Sequence, residues 1–205
     1  MRTNSLNYPL YGGIVKIDND PQRVLSTACE EVKVTAEGLA EAKEITKELV
    51  KALPSSMAAG LAAPQIGISK SIFIFSWDRT EKNRQAVINP TYTPVGDEAE
   101  EKWEGCFSVI LTQRPPYKLA KIRRYKSIHA SFLNLEGQRV ELILKGFGAH
   151  VFQHECDHLM GKVNICYEEI EIKSFQNHED LTVFFDDIKK NDSVGYIAPT
   201  VISAG

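Results

Sequence analysis

The residue types most capable of chemistry in this chain are concentrated in the segment HECDH at residues 154–158. Because positions four apart lie on one face of a helix, His154 and His158 can both reach one metal ion. Glu155 directly follows the first histidine, where its carboxylate can act as a base toward a water molecule. A pattern this short also arises by chance, so alone it is equally compatible with a structural helix.

Two other segments offer the third ligand and the oxyanion donor that such a site needs. Cys106 follows a glycine in the segment WEGCFS at residues 103–108, where the backbone can approach a site closely. Gln65 ends the segment GLAAPQ at residues 60–65, whose small residues suit tight packing beside a cleft. Taken alone, a cysteine is most often a small buried apolar residue, and the glutamine segment is a loop before a strand.

In this order, the three segments resemble the signature of the peptide deformylase family. That family has the pattern G-x-G-x-A-A-x-Q, then E-G-C-x-S, then Q-H-E-x-D-H. The matching residues here are Gly60 to Gln65, Glu104 to Ser108 and Gln153 to His158. Residues 88–90 (INP) resemble the end of the family's strand between the first two segments, and the resemblance covers about residues 10 to 165.

The resemblance implies a metal-dependent hydrolase that removes the formyl group from the N-terminal formyl-methionine of newly synthesised polypeptides and releases formate. It implies Glu155 as the general base, with the side-chain amide of Gln65 and the backbone N–H of Phe107 holding the oxyanion. It implies iron(II) in cells, although zinc, nickel and cobalt suit the same ligands and can occupy preparations. The implied ligands of this single divalent ion are Cys106, His154 and His158.

A groove beside the metal must hold the substrate. Gly60 has no side chain, so its backbone can pair with an extended peptide. An apolar pocket would hold the methionine side chain, and its expected walls are Ala59, Phe147, His150 and Val151. These four residues also fit ordinary core packing, and the sequence does not separate the two interpretations.

The chain departs from the family pattern near this groove. Ala58 stands where the first glycine of the first segment is usual, and Phe107 replaces the usual leucine. Ile110 stands where the family typically has a proline, so residues 110–117 (ILTQRPPY) differ from the usual loop. Because a backbone N–H donor does not depend on the side chain, these changes concern the shape of the groove more than its chemistry.

Two other functions stay open at this stage. An HExxH metallopeptidase would share the two histidines, but such enzymes usually take their third ligand from a downstream histidine or glutamate. A deformylase-like binding protein without turnover would keep the fold. The altered loop at residues 110–117 is the only feature that favours this second alternative.

The elements that must position these residues begin with helices. Apolar residues recur at helical spacing from Leu39 to Leu53, with Thr35 as the N-cap and Pro54 as the stop. Residues 149–160 contain helix formers without a breaker and end at a glycine. The second helix would carry the HExxH segment.

Short β-forming runs surround these helices. Residues 71–75 (SIFIF) and 86–88 predict strands, and residues 125–133 and 138–144 predict an antiparallel hairpin around the turn NLEG. Strands followed by one long buried helix indicate an α+β fold. With the family resemblance, the pattern predicts antiparallel β-sheets packed around a central helix that carries HExxH.

The length of 205 residues predicts one domain. We expect residues 1–170 to form the catalytic domain and residues 171–205 a C-terminal extension of the same domain. This extension is expected to lack the long regular helix that is common in bacterial members of the family. Its last dozen residues are expected to be loosely ordered, because chain ends are ordered only where other elements hold them.

Composition argues against several classes of partner. The formal net charge is -3, which is too small to imply nucleic acid, and we expect no specific DNA binding. A local basic cluster is interpreted as a solvated strand edge, and an RNA-facing patch is the less favoured alternative. Its members are Lys118, Lys121, Arg123, Arg124 and Lys126.

The sequence also predicts a cytoplasmic address. No apolar run reaches the length of about 18 residues that a membrane-spanning helix needs, and the first residues lack an apolar signal segment. We therefore expect a monomer with four reduced cysteines and no membrane contact. Its expected partners are nascent N-formyl-methionine peptides, with a transient contact to the ribosome.

Overall fold

The computed structural model of the chain describes residues 13–53, 58–110, 115–192 and 195–204. The described helices are α1 (Ala36–Ala52), α2 (Phe107–Ile110), α3 (Gly146–Leu159) and α4 (His178–Asp192). The described strands are β1 (Gly60–Ala62), β2 (Ile72–Ser76), β3 (Arg84–Pro94), β4 (Ala99–Glu104), β5 (Tyr117–Tyr125), β6 (Ser127–Leu133), β7 (Arg139–Lys145), β8 (Glu171–Phe175) and β9 (Thr200–Ala204).

Two antiparallel sheets surround helix α3. The larger sheet has six strands in the order β1-β2-β3-β6-β7-β9, and the smaller has three in the order β4-β5-β8. Helix α3 contacts strands of both sheets. All but two of its fourteen residues are buried, as expected of a helix at the centre of a core. The predicted α+β fold, with antiparallel sheets around the helix that carries HExxH, is confirmed.

Aromatic packing holds α3 against the larger sheet. The ring of Phe152 meets the rings of Phe73 and Phe75 edge-on, with centroids 5.1 and 5.4 Å away. Phe132 lies 6.1 Å away on a second strand of that sheet, β6. Edge-to-face pairs at these distances add to the stabilisation that burial alone provides. The position of Phe152 therefore determines how the helix is seated on the sheet.

Several elements match their sequence predictions. Helix α1 begins three residues before the predicted Leu39, and the Thr35 hydroxyl caps it by accepting a hydrogen bond from the backbone N–H of Gly38 at 3.1 Å. The predicted stop at Pro54 lies outside the described residues. The hairpin of β6 and β7 closes at the predicted turn, where Gly137 has a positive φ of 76°. The predicted long first strand is divided, because Tyr125 ends β5 and Ser127 begins β6.

The C-terminal region is more regular than its sequence suggested. The expected absence of a long helix is wrong, since α4 spans fifteen residues. Strand β9 also pairs with β7 along Val140 to Ile143, where the expectation was a loosely held chain end. The exposed edge of β7 supplies hydrogen-bonding groups that a short terminal strand can satisfy. No helix in the described part of the chain is long and apolar enough to span a membrane.

The seating of α3 can be tested by removing its central aromatic ring. Phe152→Ala should lower the free energy of unfolding by about 3–5 kcal/mol, because a buried ring leaves a cavity among three other rings. Urea denaturation measures the effect. Val183→Ala, at a side chain that is 67% exposed on α4, is the control and should change stability little. An equal effect in both variants would contradict this packing.

Candidate active site

The three predicted metal ligands lie together. The ligand atoms of Cys106, His154 and His158 are all within 4.8 Å of one another. The Cys106 sulfur is 3.3 Å from Nε2 of His158, and the two imidazole rings have centroids 5.0 Å apart. The histidines are neighbours because one helical turn of α3 separates them. Cys106 joins them from the junction between β4 and α2, where it is buried.

The donor set suits a divalent transition metal. One thiolate and two imidazoles fit zinc, iron(II), nickel or cobalt, and three ligands leave a further coordination position open. Nδ1 of His154 is engaged with Glu104 at 2.9 Å, so its Nε2 is left for a metal. Glu155 Oε2 is buried and has no hydrogen-bond partner among the described residues. A buried polar atom of this kind is expected where a bound group completes the site.

A buried network of charged and hydrogen-bonded side chains contacts the predicted ligand His154. Arg124 donates from Nε and Nη2 to the two carboxylate oxygens of Glu104, each at 2.8 Å. Its Nη1 donates to Asp157 at 2.8 Å. Glu104 also accepts from His150 at 2.7 Å and from His154, so that each of its oxygens accepts two hydrogen bonds.

This network determines the charge of Glu104. Burial alone would raise the pKa of this carboxyl, but the charges of Arg124 and His154 and the bonds from the histidines hold the pKa well below its ordinary value. Glu104 is therefore an ionised acceptor beside His154, one of the three predicted ligands. An acceptor of this kind selects the tautomer and the ring orientation of His154.

The interpretation of Arg124 as part of a solvated strand edge is wrong. Alternate residues of β5 face inward, and Arg124 occupies one of the inward positions, only 4% exposed. Lys121 and Lys126 do lie on the outside, where they pair with Glu171 and Glu98.

Glu155 has the environment of a general base. Burial raises the pKa of its carboxyl to about 7, and the charge of Glu104 adds to the rise while His154 opposes it. A cation at the neighbouring ligands would favour the ionised form. The carboxylate lies directly against the backbone of Gly60, since a Cβ on Gly60 would come within 2.7 Å of its carboxyl carbon. A side chain at position 60 of β1 would collide with this carboxylate, so only glycine fits there.

Gln65 points its side-chain amide at the ligand cysteine. Its Oε1 accepts from the backbone N–H of Ala62 at 2.9 Å, which fixes the orientation of the amide. Its Nε2 then faces Cys106 at 3.5 Å and Ser108 at 3.3 Å. Phe107 follows the cysteine as the first residue of α2. Both predicted oxyanion donors are thus next to the ligand cluster.

A cleft of about 300 Å³ opens over the cluster. Strands β1 and β4 are each paired with a single strand among the described residues, so each forms an edge of its sheet. The cleft lies at these two edges. All five residues predicted to contact substrate line it: Ala59, Gly60, Phe147, His150 and Val151. Phe147 and Val151 also belong to the main core cluster, so both interpretations of the walls apply to them.

Sequence reasoning missed several residues of the cleft. The α4 residues Leu181, Phe185 and Ile188 line it, and their helical spacing is the sequence signal that could have identified them. Ala58 is buried, and residues 111–114 of the altered loop lie outside the described residues. None of the four cysteines forms a disulfide in this structure.

Comparisons with known proteins agree with this arrangement. The sequence profile of the family described as polypeptide deformylase matches residues 14–171. Peptide deformylase 2 of Pseudomonas syringae pv. tomato is 36% identical over 161 residues, which are 75% of this chain and 84% of that protein. The crystal structure of the Thermotoga maritima peptide deformylase has 32% identity and a TM-score of 0.61, covering 74% of this chain and 93% of that one. The Met-Ala-Ser-bound class I type b enzyme of Acinetobacter baumannii has 25% identity and a TM-score of 0.61, covering 74% and 96%. The chain therefore belongs to the peptide deformylase family.

Proposed function

We infer that this chain is a metal-dependent hydrolase that removes the formyl group from the N-terminal formyl-methionine of newly synthesised polypeptides and releases formate. The observation that carries the inference is the cluster of Cys106, His154 and His158 beside a buried carboxylate, at the base of a cleft, in a member of this family. The Acinetobacter relative binds Met-Ala-Ser, a peptide that begins with the residue left by deformylation.

We assign each step of the reaction to a residue of this site. A divalent ion held by Cys106, His154 and His158 would supply Lewis-acid polarisation of the formyl carbonyl. Glu155 takes the proton of the attacking water and later delivers it to the leaving amine. The amide of Gln65 and the backbone N–H of Phe107 donate to the oxyanion, and donors oriented in advance do not need to reorganise during the reaction.

The edges of the two sheets suit an extended peptide. Gly60 on β1 offers its backbone without a side chain in the way, and β4 offers a second edge across the cleft. The methionine side chain enters the pocket formed by Ala59, Phe147, His150 and Val151. A formyl carbon carries a hydrogen where a peptide carbonyl carbon carries a Cα, so it can approach a narrow site from which ordinary peptide carbonyls are excluded.

The two alternative functions are less well supported. A general HExxH metallopeptidase would take its third ligand downstream, whereas Cys106 lies upstream and its sulfur is 3.3 Å from His158. A binding protein without turnover would not need Glu155 buried beside the ligands. The family match does not favour either alternative.

The remaining parts of the proposal concern the molecule in the cell. We propose that residues 1–170 are the catalytic domain and that residues 171–205 extend it. The chain acts as a monomer in the cytoplasm, contacts the ribosome transiently while its nascent substrate emerges, and binds no specific DNA. Iron(II) is the native ion, and zinc, nickel or cobalt can replace it in preparations.

The base can be tested by an isosteric change. Iron-loaded protein should release formate from formyl-Met-Ala-Ser, and Glu155→Gln should lower kcat by about 10²–10⁴-fold while the metal content stays the same. Glu136→Gln, at an exposed turn residue, is the matched control and should keep full activity. Failure of the metal-loaded unchanged protein to release formate would favour the binding-protein alternative.

The third ligand can be tested by metal analysis. Cys106→Ser should lower the bound metal per chain by at least about tenfold after dialysis, since the thiolate is replaced by a weak neutral donor. Cys166→Ser removes an exposed thiol and should retain the metal. Elemental analysis decides between them. Retention of metal and activity in Cys106→Ser would support the metallopeptidase alternative.

The identity of the native ion can be tested by oxidation. Protein purified without oxygen should contain iron and should lose activity on exposure to peroxide, because iron(II) beside a thiolate is open to oxidation. Nickel-loaded protein is the control and should keep its activity under the same treatment. Activity of the anaerobic preparation that survives prolonged peroxide exposure would rule out iron as the native ion.

A further inference from the structure

We propose that helix α4 forms an outer wall of the substrate cleft and that Phe185 restricts the size of the side chain that follows the formylated methionine. This inference rests on the deformylase function proposed above and specifies its substrate preference. It concerns a part of the chain beyond residue 171, where the family match ends. The wall is therefore formed by residues outside the region that the family profile covers.

One face of α4 is directed at the cleft. Leu181, Phe185 and Ile188 are four and three positions apart, which places them on the same side of a helix. All three line the cleft, together with Thr182 of the same helix. Phe185 is partly buried, and Leu181 is buried among the aromatic residues of the smaller sheet.

A neighbouring aromatic residue anchors the helix to the sheet. The ring of Phe184 meets the ring of Trp103 edge-on at 5.8 Å and lies 5.5 Å from the ring of Phe175. Trp103 belongs to β4 and Phe175 to β8, so α4 is attached to both outer strands of the smaller sheet. Phe184 therefore anchors the helix, whereas its neighbour Phe185 faces the cleft.

The ring of Phe185 lies directly over the backbone beside the metal ligand. A Cβ added to Gly105 would come within 2.6 and 2.7 Å of two ring carbons of Phe185. Gly105 immediately precedes Cys106, so the ring covers the same stretch of backbone that holds the thiolate. A peptide running along the edge of β4 must pass this ring.

The expected effect follows from the geometry of an extended peptide. Consecutive side chains of an extended chain point to opposite sides, so the residue after methionine is directed away from the methionine pocket. We assign the α4 wall to that second side chain. A small side chain such as alanine fits beneath the ring, whereas a tryptophan side chain must displace it. Preference for small second residues therefore depends on Phe185.

The test compares two substrates that differ only at the second residue. kcat/KM is measured with formyl-Met-Ala-Ser and formyl-Met-Trp-Ser, using nickel-loaded protein. Phe185→Ala should raise the ratio of the tryptophan to the alanine substrate by about tenfold, within the range that a pocket contact of this size provides. Thr182→Tyr adds bulk to the same wall at an exposed position and should lower that ratio.

Val183→Ala is the control. It shortens a side chain of the same helix that is 67% exposed and does not line the cleft, so the ratio should stay unchanged. A merely structural role for Phe185 would reduce turnover of both substrates equally, and an unchanged ratio in both Phe185→Ala and Thr182→Tyr would overturn the proposal.

Failure of the underlying function gives a different result. If the unchanged protein releases no formate from formyl-Met-Ala-Ser, the function is wrong, and calorimetric binding of Met-Ala-Ser and Met-Trp-Ser still tests the wall. Tighter relative binding of Met-Trp-Ser by Phe185→Ala would support the wall, and equal changes for both peptides would reject it.

Discussion

The bidentate pairing of the Arg124 guanidinium with Glu104, completed by its bond to Asp157, is the interaction on which the active site depends. It joins β5 to β4 and both to α3, and so connects the smaller sheet to the helix that carries two ligands. Charges buried this deeply do not by themselves add much stability, because removing them from water costs as much as their attraction returns. Their effect here is on geometry. An ionised Glu104 requires His154 to present one particular nitrogen to the cluster, and β4 must then hold Cys106 opposite it.

The sequence located the proposed ligands but not the network of charged residues that contacts them. His154 and His158 were predictable because their relation is local, one turn of a helix, and Cys106 and Gln65 were found through their order along the chain. The role of Arg124 depends on which face of β5 is buried. The strand's alternation, with Ala120 and Ile122 on the same buried face, indicated that a charged residue shared that face. Its partners lie twenty and thirty-three residues away, and no local pattern identifies them.

The same distinction applies to the fold. Helix α1 and the β6–β7 hairpin follow from capping, periodicity and turn residues, all of which act over a few positions. Strands β4, β8 and β9 are short and gain stability from partners that are distant in sequence, so their own composition predicts little. Helix α4 is a different case. The helical spacing of its apolar residues was visible in the sequence. Its many charged residues, however, gave no reason to expect a packing partner, and the aromatic residues of the smaller sheet that provide one are distant in sequence.

Strand β9 also has a consequence for the order in which the protein matures during synthesis. The residues that pair with β7 are numbered 200–204, so the edge of the larger sheet stays open until almost all of the described chain has left the ribosome. The cluster of Cys106, His154 and His158, by contrast, is complete once residue 158 has emerged. A chain interrupted between these points would contain every metal-binding group and yet expose a strand edge able to pair with other molecules. The sheet is thus completed late in synthesis. The chain contains its metal-binding groups before its sheet edge is protected against aggregation.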